Sequence, residues 1–294
     1  MILLQADRSI LVNALGGVLA PAGVAALVLA LAARPWRGRA GEGAAGWGAP
    51  LALGLAFAAG YIATQGWPDF PPGALVKQWL FYVGLGGGFF GAYEGLAEQP
   101  KRLARGLASA AAPVLLLGFM REHHWTRTES FLWTAGLAGT LFASWSALET
   151  LAIRRPGAML PLALGLSTAC SAGVLHYSGS SASLAPLAGS LVPALCACAL
   201  LGFLRPGFGL SHGGIAPFVL LYSGLLWAGH FASELGGRGF ALLLIAPLLS
   251  WFGELVPGSR PRLRLGLSFA APVATSLVAL LIARAAAPPS SPYG

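Results

Sequence analysis

The sequence predicts an all-α fold, a polytopic bundle of about ten transmembrane helices forming a single integral membrane domain over 1–294. Three observations predict it. Of the residues, 56% are apolar and only 10% charged, whereas an ordinary soluble domain carries about 25% charged residues. The apolar residues fall in runs of about 20, the length a helix needs, at about 1.5 Å per residue, to cross a hydrocarbon core of about 30 Å. The basic residues cluster in the short connections between those runs. The net charge of +8 therefore reads as membrane topology, and no nucleic-acid partner is expected.

In chain order the runs are 10–33, 47–65, 77–96, 103–120, 131–153, 157–177, 184–204, 213–232, 238–257 and 263–285. The first imitates a signal peptide ending at Ala30 to Ala33. Asp7 and Arg8 cancel where a positive n-region belongs, however, and the run is longer than a signal core, so it reads as a retained span. Runs two, three and four are the weakest, being short or rich in glycine. Run three contains Gly86, Gly88 and Gly91 in a G-x-G-x-x-G spacing, but no strand precedes it. Its pairs Gly84/Gly88 and Gly87/Gly91 instead predict close backbone approach between helices. Pro21, Pro113, Pro193, Pro217, Pro247 and Pro272 lie inside runs and predict kinks.

Alternate connections hold Arg34, Arg37 and Arg39; Lys101, Arg102 and Arg105; Arg154 and Arg155; Arg205; and Arg260, Arg262 and Arg264, twelve of the 18 Lys and Arg. Cytoplasmic loops retain such an excess. This register places both termini on the extracytoplasmic side of a bacterial inner membrane. Tryptophan prefers the headgroup level, and Trp36, Trp47, Trp145 and Trp251 fall near inner span ends while Trp67, Trp79, Trp125, Trp133 and Trp227 fall near outer ends.

Internal repetition is also visible. Residues 94–114 resemble 254–273 with one gap, sharing a Glu, an Arg-Leu pair, a Gly-Leu pair and a Pro-Val pair in order, and a fainter copy runs from Glu149 through Arg154 and Arg155 to Ser167. The copies recur after an even number of spans. That spacing predicts parallel repeats of a two-helix hairpin, not an inverted duplication.

On this parsing no ionisable residue lies at the centre of a span, which removes weight from proton relays and voltage sensors. The nearest are Glu94, Glu149 and Glu254, each near the inner end of an outside-to-inside span and each followed by basic residues. Converging, they would form an inner gate or cation site; otherwise each pairs with its own basic turn. Glu149 lies deepest from its loop and is expected to matter most. His176 and His230 sit at outer span ends, where a bis-His haem or metal site competes with simple interfacial hydrogen bonding. His123 and His124 share a polar outer loop with Glu122 and Glu129, and His212 falls in an inner loop. No H-E-x-x-H is present, and Cys170, Cys196 and Cys198 form no Cys-x-x-Cys pair. No cofactor or metal is therefore expected. Neutral polar residues on the spans (Asn13, Thr140, Ser144, Ser146, Ser167, Thr168, Ser171, Thr275 and Ser276) either line a pathway or hydrogen-bond locally.

The proline-rich, aromatic connection from Gly66 to Pro72, followed by Gln78, Trp79, Phe81 and Tyr82, resembles a loop of uncharacterised bacterial multi-pass membrane proteins. The resemblance covers about twenty residues and implies no activity. In length and span count the chain is also similar to the drug/metabolite transporter superfamily. Its members are inverted repeats with cytoplasmic termini, opposite to the orientation read here.

The functional expectation is a transporter or permease-like protein for a small or lipid-like substrate, with a non-catalytic scaffold or assembly subunit as the alternative. An intramembrane enzyme ranks third for want of a catalytic constellation. The expected partners are the lipid bilayer and, for a scaffold, another membrane protein or a second copy of the chain. A polar cavity reaching the midplane favours transport; a dry, closely packed interior favours the scaffold.

Overall fold

The computed structural model describes residues 2–33, 46–73, 76–96, 101–177, 183–205, 207–211, 213–233, 235–256 and 260–286, with side chains omitted at 2–15, 261, 262 and 286. Arg34, Trp36, Arg37, Arg39, His212 and the side chains of Arg8, Asn13 and Arg262 thus lie outside the described residues. Among those described the chain is all helical. The elements are α1 (Ile2–Ala33), α2 (Gly48–Gln65), α3 (Val76–Leu96), α4 (Lys101–Leu116), α5 (Gly118–His123), α6 (Arg127–Arg154), α7 (Met159–Tyr177), α8 (Leu184–Leu204), α9 (Ile215–Ala232), α10 (Gly237–Ile245) and α11 (Pro261–Ala286). Between α10 and α11 the segment Ala246–Leu255 winds as a 3-10 helix.

Among the described residues seven helices are long and apolar enough to cross a membrane, fewer than the ten expected: α1 from Gly16, α6, α7, α8, α9, α10 with its 3-10 continuation, and α11 from Leu263. The three that fall short are α2, α3 and α4. α2 and α3 are diluted by glycine, and α4 carries Lys101, Arg102 and Arg105 in its first turns and breaks at Leu117 (φ −110°, ψ 21°), beyond which α5 begins.

The burial pattern is that of a protein surrounded by hydrocarbon. α11 has 17% of its apolar window buried and α1 28%, although both are among the most apolar helices, whereas α9 is 83% buried. In water two helices as apolar as these would be drawn to the centre. Here they line the rim, where Leu19, Leu27, Leu277, Val278, Leu281 and Ile282 stand exposed.

α9 is the axis of the bundle. It is buried continuously from Ile215 to Gly229, with Phe218 and Trp227 fully enclosed, and α2, α3, α4, α6, α8 and α10 all touch it. Glycine sets how closely the neighbours approach. A Cβ at Gly54 on α2 would lie 2.7 Å from Gly84 O and 2.9 Å from Gly88 Cα on α3, and one at Gly91 would collide with Gly213 O. Gly213 itself turns the chain into α9 at φ 81°, a conformation that glycine adopts without steric cost. The glycine spacing of α3 therefore serves helix packing. A buried hydrogen-bond chain ties α10 and α7 to α9: Tyr222 Oη donates to Leu243 O (2.8 Å) and meets Ser171 Oγ (3.0 Å).

α6 begins with a capping box, in which Thr126 Oγ1 accepts from Glu129 N (3.3 Å) and Thr126 N donates to Glu129 Oε2 (2.9 Å). It ends just before Pro156, a residue that disfavours helix in its predecessor. At about 42 Å by its 28 residues, α6 runs the full depth of the bundle. Its two ends carry the two sites described next.

Candidate functional site

The ends of neighbouring helices meet in two layers. One, the basic end, contains the ends of α3, α6 and the 3-10 segment and the starts of α4, α7 and α11. The other, the histidine end, contains Tyr61, Trp79, Trp125, His176 and His230.

At the basic end all three sequence-selected glutamates are buried or nearly so, and two groups form. In the first, Arg105 on α4 directs Nε at Glu94 Oε1 on α3 (2.6 Å) while its Nη2 lies 3.6 Å from Glu149 Oε1 on α6. Glu94 is 2% exposed, Glu149 5% and Arg105 9%. The Arg105 guanidinium also lies 5.9 Å above the Trp145 ring, which Phe90 meets edge-on. In the second, Arg155 Nε lies 2.5 Å from Glu254 Oε1, Arg264 Nη2 donates to Glu254 Oε2, and Arg155 Nη1 donates to Ser268 Oγ. A void of about 20 Å³ beside it, lined among others by Arg155, Ser250 and Ser268, has room for one water.

Glu94 and Glu254 thus pair with an arginine of the turn that follows them. Glu149 does not: its partner comes from the α3–α4 hairpin, and Arg155 of its own turn serves Glu254. The glutamates do not converge on one gate; they divide between two clusters joined through the end of α6.

Arg105 is the residue the sequence reading undervalued, having counted it as a loop charge. A signal was present. Arg105, Ser109, Ala112 and Leu116 recur at helical spacing and form the buried face of α4.

At the histidine end a cavity of about 820 Å³ opens between α3, α4, α5 and α6, within the range of small-molecule sites. Its apolar wall is Trp79, Val114, Leu115, Phe119 and Phe131, and its mouth carries Arg121, Glu122, Arg127 and Ser130. The wall is open, for Leu115 is 40% and Phe131 71% exposed. Arg121 Nε donates to Ser130 Oγ (3.1 Å), so α5 and α6 are tied across the mouth. The neighbouring loop is braced by Gln78, which donates to Asp69 Oδ2 (2.8 Å) and accepts from Gly73 N (2.6 Å), and by Tyr82 donating to Asp69 O (2.8 Å). No individual residue in this wall was singled out from sequence except Trp79, because apolar side chains on a span give no sign of facing a hollow.

The histidines are not brought into a ligand set. His176 is exposed beside the Tyr177 ring. His230 bonds Leu235 O through Nδ1 (2.7 Å) and stacks on Phe240. His123 stacks on Phe119 at the cavity wall. Among the described residues no three His, Cys, Asp or Glu side chains group as a metal site would require. The neutral polar side chains mostly turn back on their own helix: Thr168 Oγ1 to Leu164 O, Thr275 Oγ1 to Ala271 O and Ser276 Oγ to Pro272 O, at 2.7, 3.0 and 2.9 Å.

Helical architecture and burial together define a class compatible with integral membrane proteins. Comparison with protein-family models, curated proteins and solved structures yields no match.

Proposed function

We propose that the chain is a ten-crossing permease-like protein of a bacterial inner membrane, with both termini extracytoplasmic, that handles a lipid-like amphiphile. α2, α3 and α4 with α5 complete the ten, the glycines of α2 and α3 packed against neighbouring helices and Arg105 of α4 turned inward to Glu94. The basic end, on this reading, is cytoplasmic.

One observation carries the functional part. The same three helices, α3, α4 and α6, part around the 820 Å³ cavity at one end and are tied by the buried Glu94–Arg105–Glu149 cluster at the other. That is the form of a carrier open to one side and closed to the other. An amphiphile fits the lining, its chain along Val114, Leu115, Phe119 and Phe131 and its head among Arg121, Glu122, Arg127 and Ser130. The test is native mass spectrometry of the purified chain. Wild type is expected to retain a lipid-sized adduct that is weakened in Leu115→Trp, whose larger ring narrows the cavity. Equal adducts in both would remove the cavity from the account.

A second reading, the scaffold, has its own support in the close packing around α9, backbone to backbone at Gly54, Gly88, Gly91 and Gly213. It predicts that narrowing the cavity leaves function untouched while Gly88→Leu, on the packed α2–α3 face, abolishes it.

A further inference from the structure

The Glu94–Arg105–Glu149 cluster holds two carboxyl groups and one guanidinium, and solvent cannot make up the difference. Arg105 is within hydrogen-bond distance of Glu94 only; the 3.6 Å to Glu149 is an ion pair without a hydrogen bond. The second oxygens, Glu94 Oε2 and Glu149 Oε2, are buried without a partner, as are Ser109 Oγ, one turn beyond Arg105, and Trp145 Nε1, one turn before Glu149. A carboxylate taken out of water without full compensation takes up a proton instead, and of two carboxyls beside one guanidinium the one without its hydrogen bond is the less compensated.

The surrounding charges do not close the gap. Lys101 and Arg102 on α4 are exposed, and Lys101 reaches Glu149 only through its field. On α6, Arg154 lies over Trp251 and Arg155 is committed to Glu254. α9 brings no ionisable side chain to this end. His212, just before it, and Glu98, between α3 and α4, lie outside the described residues. A metal cation would need more oxygen ligands than Glu94 Oε2, Glu149 Oε2 and Ser109 Oγ supply, and Arg105 would repel it.

We infer that Glu149, the carboxyl that Arg105 does not hydrogen-bond, holds a proton, which makes this cluster a proton-binding site at the closed end of the α3–α4–α6 wedge. The proton comes from solvent, one O–H bond forms on a carboxylate oxygen, and no other bond changes. With it the cluster is neutral and the three helix ends are held together. Without it one negative charge is buried in excess, and the tie weakens. On the carrier reading above, which this coupling role presupposes, proton loss opens the inner end; the proton itself does not depend on that reading.

Infrared spectroscopy of the full chain in lipid-detergent micelles tests it without any substrate. At neutral pH the carbonyl stretch of a protonated carboxyl, identified by labelling glutamate with 13C, is expected in wild type, to bleach on alkaline titration and to be lost in Glu149→Gln. Thermal stability of wild type is expected to fall across the same pH range as the proton leaves, and that of Glu149→Gln to stay level. A labelled wild-type chain with no protonated glutamate at neutral pH overturns the inference even if a variant fails to fold. So does a glutamate band that survives unchanged in Glu149→Gln. Failure of the carrier reading would appear separately, as absence of the lipid adduct with the band intact.

Discussion

The two charge clusters at the basic end are near mirror images in composition and differ in what they can do. One is Glu94–Arg105–Glu149, with a negative charge in excess; the other is Arg155–Glu254–Arg264, with a positive charge in excess. A carboxylate can shed its excess charge by taking a proton, whereas arginine stays protonated in proteins. The acidic cluster is accordingly sealed, and the basic one is leaky: the Arg264 side chain is 36% and the Arg155 side chain 17% exposed. Burial follows the chemistry that each excess charge permits. α6 supplies a member to both, Glu149 to one and Arg155 to the other, so movement of its end is felt by both.

Four substitutions sharpen or break this contrast. Arg105→Met is expected to cost the most, about 3–5 kcal/mol, because it leaves two enclosed carboxyls without a countercharge; unfolding of the variant in mixed micelles measures it. Glu254→Gln is expected to cost about 1–2 kcal/mol by the same measurement, since the two arginines left facing each other can reach water. Arg264→Met, removing the most exposed member while Arg155 still serves Glu254, is expected to cost about 1 kcal/mol or less. Near-equal losses for Arg105→Met and Arg264→Met would dissolve the contrast. Glu149→Gln is expected to change stability at neutral pH by less than about 1 kcal/mol, since it replaces a protonated carboxyl by a neutral amide of the same shape, yet to impair function more than Glu94→Gln or Glu254→Gln. Silence of all three in a transport assay would reduce the cluster to a structural tie.

Much of this end of the molecule was legible in the sequence through helical period. Glu94 lies on the stripe of Gly84, Gly87, Gly88 and Gly91, and Glu149 on the stripe of Leu141, Trp145, Leu148 and Ala152, both buried in the structure. A polar residue on a packed face is visible before any coordinates are. Its partner is not. The reading that pairs each glutamate with its own turn was reasonable for Glu94 and Glu254, but period says nothing about which hairpins pack together, and Glu149 is met by Arg105 from another. Apolar length finds α1 and α6 to α11 as candidate spans among the described residues, and α2, α3 and α4 fall short of it because glycine dilutes the first two and basic residues open the third. The cavity could not be read from sequence at all, because Leu115 and Phe131 facing a hollow are chemically indistinguishable from Leu281 facing lipid.

Transbilayer transfer of a fluorescent lipid analogue in proteoliposomes tests the central claim, a one-sided cavity closed by the acidic cluster, most directly. The account predicts faster transfer with wild-type protein than in empty liposomes, and a smaller acceleration in both Leu115→Trp and Glu149→Gln. Transfer no faster than in empty liposomes, or acceleration undiminished in Leu115→Trp and Glu149→Gln, would contradict it.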